Sequence, residues 1–86
     1  MTRDDIKKII LEEIDNIAPG SLPDNLADTA DLRETLDLDS LDMLNLITAL
    51  HVRLKVDIPD ADQSNFATLA GALDYLGART ASPSGG

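Results

Sequence analysis

Hydrophobic residues near the start of the chain recur with the period of an α-helix. Thr2 is a suitable N-cap, and acidic residues occupy the first predicted turn, where the helix dipole favours negative charge. The helix is expected to end near Ala18, just before Pro19 and Gly20. The apolar positions that share one helical face are Ile6, Ile9, Ile10, Ile14 and Ile17.

A second helical pattern begins at the sequence DSLD and extends to about Leu54. One face of this helix is a stripe of apolar residues that faces the core. A second, partly apolar ridge lies outside this core-facing stripe, and we call it the outer ridge: Leu41, Leu44, Thr48 and Val52. The outer ridge is either covered by the rest of the chain or exposed as a docking surface. The core-facing stripe spans about 100° and contains Met43, Leu46, Ile47, Leu50 and Leu54.

The segments that flank the second helix contain turn signals. Residues 19–34 hold two prolines and a glycine, which predicts a long loop. Such a loop must be attached to the core, and the suitable residues are Leu22, Leu26 and Leu32. After Leu54, Pro59 predicts a connector with one short helix that starts at Asp60 or Asp62.

A last helix is predicted from Thr68, a suitable N-cap, to Gly77, a suitable stop. The small and polar residues 78–86 predict a disordered tail. The fold is therefore predicted as all-α, with a single domain over residues 1–77. This domain is a small four-helix bundle of three main helices and one short helix, with a long loop between the first two.

The charge of the chain restricts its partners. Sixteen acidic residues against seven basic ones give a formal net charge of −9, which opposes binding to nucleic acid and favours partners with basic surfaces. The chain has no cysteine and no long apolar run, so disulfides, a signal peptide and membrane insertion are not expected. A cytoplasmic monomer is expected.

Catalytic residues and a metal site are not expected, because His51 is the only histidine and cysteine is absent. Ser40 stands out instead, since it lies between Asp39 and Asp42 where the second helix begins. Either Asp39 or Ser40 can cap that helix, and Asp42 adds a favourable interaction with the helix dipole. So short a motif matches often by chance, and by itself it favours capping.

The longer context indicates another role for Ser40. Residues 36–60, LDLDSLDMLNLITALHVRLKVDIPD, and the later FATLAGALDYL closely resemble the acyl carrier protein family. The family signature is Asp-Ser-Leu at the start of the second helix, here Asp39, Ser40 and Leu41, and the resemblance extends over roughly residues 3–77. It implies that Ser40 carries 4′-phosphopantetheine, transferred from coenzyme A by a phosphopantetheinyl transferase, and that acyl groups are held on its thiol as thioesters. Asp39 and Leu41 would flank the cofactor.

The resemblance also implies a partner-binding surface on and beside the second helix. The expected partners are the transferase and acyl-loading and acyl-transfer enzymes with basic or apolar docking surfaces. They would belong to fatty acid, lipid or polyketide-type biosynthesis. The residues assigned to this surface are Asp37, Asp42, Leu44, Asn45, Thr48 and Val52.

Two features depart from the family pattern. Asp37 stands where many members have glycine, and Asn45, His51, Val52 and Arg53 stand where members are rich in glutamate. The departures predict a specialised carrier whose partners contact the outer ridge rather than a negative patch. Two alternatives remain: a peptidyl or aminoacyl carrier loaded by an adenylating enzyme, and an unmodified helical interaction module in which Ser40 only caps the helix.

Overall fold

A computed structural model describes residues 2–80, which form four α-helices and one 3-10 helix and no β-strand. This confirms the predicted all-α fold with three long helices and a long connection between the first two. The structure has two short helical elements, where the sequence predicted one. The elements in chain order are α1 (Arg3–Ile17), α2 (Leu32–Leu36), α3 (Ser40–Leu54), the 3-10 helix (Asp60–Phe66) and α4 (Leu69–Thr80).

The predicted N-caps at Thr2 and Thr68 are confirmed. The Thr2 hydroxyl accepts from the Asp5 N–H at 3.1 Å, while the Asp5 carboxylate accepts from the Thr2 N–H at 3.2 Å, which completes a capping box. The hydrogen bond that the Thr2 N–H donates to the Asp5 carboxylate is the largest cause that lowers the pKa of Asp5. At the start of α4, the Thr68 hydroxyl accepts from the Gly71 N–H at 3.0 Å. The predicted end of α1 is also confirmed, since the helix ends at Ile17 with Ala18 as its C-cap.

Two predicted boundaries are wrong. The loop assigned to residues 19–34 is shorter, because α2 begins at Leu32. This helix is too short to show a hydrophobic period, and it is held instead by the fully buried Leu32, whose N–H donates to the Ala67 carbonyl at 2.8 Å. At the other end, α4 continues through Gly77 to Thr80. Residues 78–80 of the predicted tail are thus helical, and residues 81–86 lie outside the described residues.

The core lies between α1, α3 and α4, because α1 packs against both of the other long helices. The 3-10 helix packs against α4 and contributes the fully buried Phe66. Leu22 and Leu26 pack against this core and Leu32 lies within it, as predicted for the long connection. The buried residues of the three long helices are Ile6, Ile10, Ile14, Met43, Leu46, Ile47, Leu50, Leu69, Ala72, Leu73 and Leu76.

Candidate functional site

The start of α3 is capped by Asp39 and not by Ser40. The Asp39 carboxylate accepts from the Asp42 N–H at 2.8 Å, and the Asp42 carboxylate accepts from the Asp39 N–H at 3.3 Å. Together they form a capping box, with Ser40 as the first residue of the helix proper. The capping requirement is thereby met without the Ser40 hydroxyl, and Ser40 is exposed.

The Ser40 hydroxyl has one protein neighbour within hydrogen-bonding distance in the described residues. An Nη2 N–H of Arg33 donates to Ser40 Oγ, with a nitrogen–oxygen distance of 3.3 Å. Sequence reasoning missed Arg33, because it placed that residue in a loop seven positions before the serine. The available signal in the sequence was a basic residue seven positions before the serine, in a strongly acidic chain.

The turn between α2 and α3 brings Arg33 and Ser40 together. Asp37 adopts a left-handed conformation, with φ 55° and ψ 42°, and ends α2 as its C-cap. Glycine adopts this conformation without the steric cost that a Cβ atom adds, which explains why a glycine suits the position. The buried Leu38 follows at once and attaches the turn to the core. Asp37 is exposed beside the site, and its predicted contact with a partner stays a prediction.

The outer ridge of α3 is not covered by the described part of the chain. Leu41 is 63% exposed, Leu44 48% and Val52 67%, and these are the exposed large hydrophobic residues of the structure. Thr48 and Asn45 are exposed beside them, whereas Asp42 is half-buried in the capping box. Of the two interpretations that the sequence left open for the ridge, the structure therefore excludes burial within residues 2–80.

A groove runs between α3 and the 3-10 helix, starting at Ser40. A cavity of about 270 Å³ is lined by Ser40 and Arg33 at one end and by Gln63 and Ser64 of the 3-10 helix. A second cavity of about 200 Å³ extends the groove toward His51 and Ile58. The two cavities share three lining residues, which are Leu44, Ile47 and Gln63. A larger cavity of about 480 Å³ lies between α1 and the long connection and has no lining residue from this site.

The wall of the groove opposite α3 is tied to α4 by polar contacts. The Tyr75 hydroxyl donates to the Asp62 carboxylate at 2.7 Å, and Arg79 donates to the same carboxylate at 3.2 Å. Burial and the Asp62 hydrogen bond raise the pKa of Tyr75. Tyr75 also packs edge-on against Phe66, with 5.4 Å between ring centroids. These contacts keep the 3-10 helix in place beside α3.

Two of the unusual residues near the end of α3 have partners within the bundle. Arg53 forms ion pairs with Glu13 at 2.8 Å and Glu12 at 2.6 Å, and these hydrogen bonds, that to Glu13 first, raise its pKa. Nδ1 of His51 lies 2.7 Å from the Val56 carbonyl oxygen, a distance that fits an Nδ1–H donor. Arg53 thus connects α1 to α3, whereas Val52, the unusual apolar residue, is exposed.

The residues at Ser40 fit the attachment of a phosphodiester. Because the Ser40 hydroxyl caps nothing, it can be esterified without loss of the helix cap, and Arg33 beside it supplies a cation for the added negative charge. Within residues 2–80, no group of three or more His, Asp or Glu side chains is placed to hold a metal ion. No helix in that range is both long and apolar enough to cross a bilayer.

Comparisons with known proteins agree with this geometry. The family model for the phosphopantetheine attachment site matches residues 5–76. The acyl carrier protein of Sulfurovum sp. (strain NBC37-1) is 30% identical over 73 residues, which cover 85% of this chain and 91% of that protein. The chain therefore belongs to the acyl carrier protein family, whose members are carriers rather than enzymes and hold 4′-phosphopantetheine covalently.

Proposed function

We propose that Ser40 is the attachment residue and that the chain carries acyl groups, as thioesters on its phosphopantetheine arm, for fatty acid, lipid or polyketide-type biosynthesis. The main support for this assignment is the geometry at the start of α3, where Asp39 caps the helix and Ser40 is exposed. Asp39 and Leu41 flank the attachment point, as the sequence predicts.

The loading reaction requires little from the carrier itself. The Ser40 oxygen bonds to the phosphorus next to the pantetheine of coenzyme A, the pyrophosphate bond breaks, and 3′,5′-adenosine bisphosphate leaves. The proton of the hydroxyl passes to a base of the transferase. The carrier's part is to present an exposed hydroxyl on a rigid helix end, and the capping box of Asp39 and Asp42 supplies that rigidity.

The groove beside Ser40 suits an acyl carrier. Its walls combine the apolar side chains of Leu44 and Ile47 with the polar Gln63, so it can accept both an amide-containing arm and part of an alkyl chain. A peptidyl or aminoacyl carrier remains the second candidate, because it would use the same serine. A cytoplasmic location and a monomeric state stay predictions.

Intact mass spectrometry tests the assignment of Ser40. The full chain is incubated with coenzyme A and a broad-specificity phosphopantetheinyl transferase, and fragmentation locates any added group. We expect a gain of one phosphopantetheinyl group, located on Ser40. A gain on Ser21 or Ser64 would refute the assignment, and no gain would favour an unmodified interaction module.

We further propose that partner enzymes dock on the outer ridge and on the polar residues around it: Asp37, Asp42, Leu44, Asn45, Thr48 and Val52. The support is the exposure of three large apolar side chains along one line of α3, beside acidic residues near Ser40. An apolar strip with acidic residues at one end fits a partner surface that is apolar with a basic rim. The transferase is the first such partner to test.

Leu44→Ser is expected to lower kcat/KM of the transferase about tenfold, mainly through KM. Leu44 lies at the centre of the proposed surface, and tenfold corresponds to about 1.4 kcal/mol, in the range of the few central contacts that dominate an interface. Lys8→Ser, on the exposed side of α1, is the control and should leave the value within a factor of two or so. Circular dichroism confirms that both variants are folded. Equal values for Leu44→Ser and the control would show that the ridge does not contact the transferase.

A further inference from the structure

Arg33 differs from most basic residues of the chain in what it contacts. Four of the seven basic side chains pair with a carboxylate, namely Arg3, Lys7, Arg53 and Arg79. Arg33 pairs with none in residues 2–80, although acidic residues are abundant around it, and its guanidinium instead donates to the Ser40 hydroxyl at 3.3 Å. A cation held beside a neutral hydroxyl is left with most of its capacity to bind an anion.

The backbone that carries Arg33 is held firmly. Leu32 on one side of it and Leu36 on the other are buried, and the N–H of Leu32 donates to the Ala67 carbonyl. The N–H of Leu38 donates to the Arg33 carbonyl at 2.9 Å, which closes the turn into α3. The Arg33 backbone is therefore fixed within reach of Ser40, and it does not belong to a flexible loop.

The charge around Ser40 makes such a cation useful. A phosphodiester adds a negative charge to a chain whose net charge is already −9, and it adds it next to Asp39 and Asp42. The two carboxylates repel that charge, whereas Arg33 attracts it. Arginine also presents a planar fork of N–H donors that fits the oxygens of a phosphate group in a bidentate manner.

We propose that Arg33 binds the phosphodiester oxygens at Ser40 in the modified protein and directs the arm toward the groove between α3 and the 3-10 helix. This inference rests on Ser40 being the attachment residue. The cavity next to Ser40 is lined by Arg33 as well, so a phosphate held by Arg33 lies at the mouth of the groove. Arg33 is thus a binding and positioning residue for the arm.

The test compares the unfolding midpoints of the unmodified and modified forms. Arg33→Gln keeps hydrogen-bond donors but removes the charge, and Lys8→Gln removes a charge from α1 that also has no carboxylate partner in residues 2–80. For each protein, the measured quantity is the change in the unfolding midpoint that modification causes. We expect this change to be about 4 °C more positive in the wild type than in Arg33→Gln. Lys8→Gln should match the wild type, and Arg33→Lys should fall between.

Two further readouts separate this proposal from a merely structural role. The Arg33 Nε–H resonance should shift on modification of the wild type, and the difference in midpoint shift should shrink in 1 M salt, where the Debye length falls to about 3 Å. Equal midpoint shifts for the wild type and Arg33→Gln, with Ser40 modified in both, would overturn the role of Arg33 alone. Absence of modification in the wild type would overturn both this inference and the proposed function.

Discussion

Replacement of Ser40 by alanine is expected to abolish attachment of the phosphopantetheinyl group completely while changing the free energy of unfolding by less than about 0.5 kcal/mol. The loss of modification follows because the nucleophilic oxygen is removed. The small change in stability follows because the capping box is formed by Asp39 and Asp42, so alanine at the first helical position removes no cap. Mass spectrometry and urea unfolding of the same sample measure the two effects.

Asp39→Ala is the matched control for this prediction. It retains the Ser40 hydroxyl but removes the side chain that accepts from the Asp42 N–H, and this should cost about 1 kcal/mol of stability. The comparison of stability separates the two roles, because only Asp39→Ala removes the helix cap. A stability loss of 1 kcal/mol or more in Ser40→Ala would mean that the serine has a structural role, and it would favour the interaction module.

Replacement of Gly71 by alanine is expected to cost about 1–3 kcal/mol, the typical cost of overpacking. A Cβ atom at this position would lie far inside contact distance of the Asn65 carbonyl oxygen and 3.2 Å from the Thr68 hydroxyl oxygen. The first of these is backbone of the 3-10 helix and cannot rotate away. The Thr68 hydroxyl caps α4 and is held by the Gly71 N–H. Because neither oxygen can move away freely, α4 and the 3-10 helix must move apart.

Gly77→Ala is the control for Gly71→Ala, because both glycines lie within α4. A Cβ atom at Gly77 would meet nothing within 4 Å, and alanine there should stabilise the protein by about 0.5–1 kcal/mol. Denaturant unfolding of both variants gives the comparison. A Gly71→Ala variant as stable as Gly77→Ala would show that α4 and the 3-10 helix are not in close contact.

The displacement caused by Gly71→Ala also bears on function. The 3-10 helix lines the groove through Gln63 and Ser64, so a shift of this helix should change the groove and leave Ser40 on α3 in place. The variant should therefore still accept the phosphopantetheinyl group at temperatures where it is folded.

The sequence by itself determined the helices that have enough length to show a period and the caps that are local to them. Hydrophobic spacing predicted α1 and α3, and Thr2 and Thr68 were recognisable as N-caps because a cap acts on residues two or three positions away. The motif around Ser40 and the order of the elements were also sufficient to indicate the family. The helical periods and the caps relate residues that are close along the chain.

Only the tertiary structure decided which residues act together at the site. The helix α2 has a local N-cap, since Asp31 accepts from the Glu34 N–H, but it is attached to the core through Leu32. Leu32 is buried and bonded to Ala67, a contact across 35 positions of the chain. The contact of Arg33 with Ser40 depends on the turn at Asp37, and the pairing of Arg53 with α1 joins residues 40 and 41 positions apart. A local pattern carries no information about such pairs, because their distance depends on the path of the whole chain.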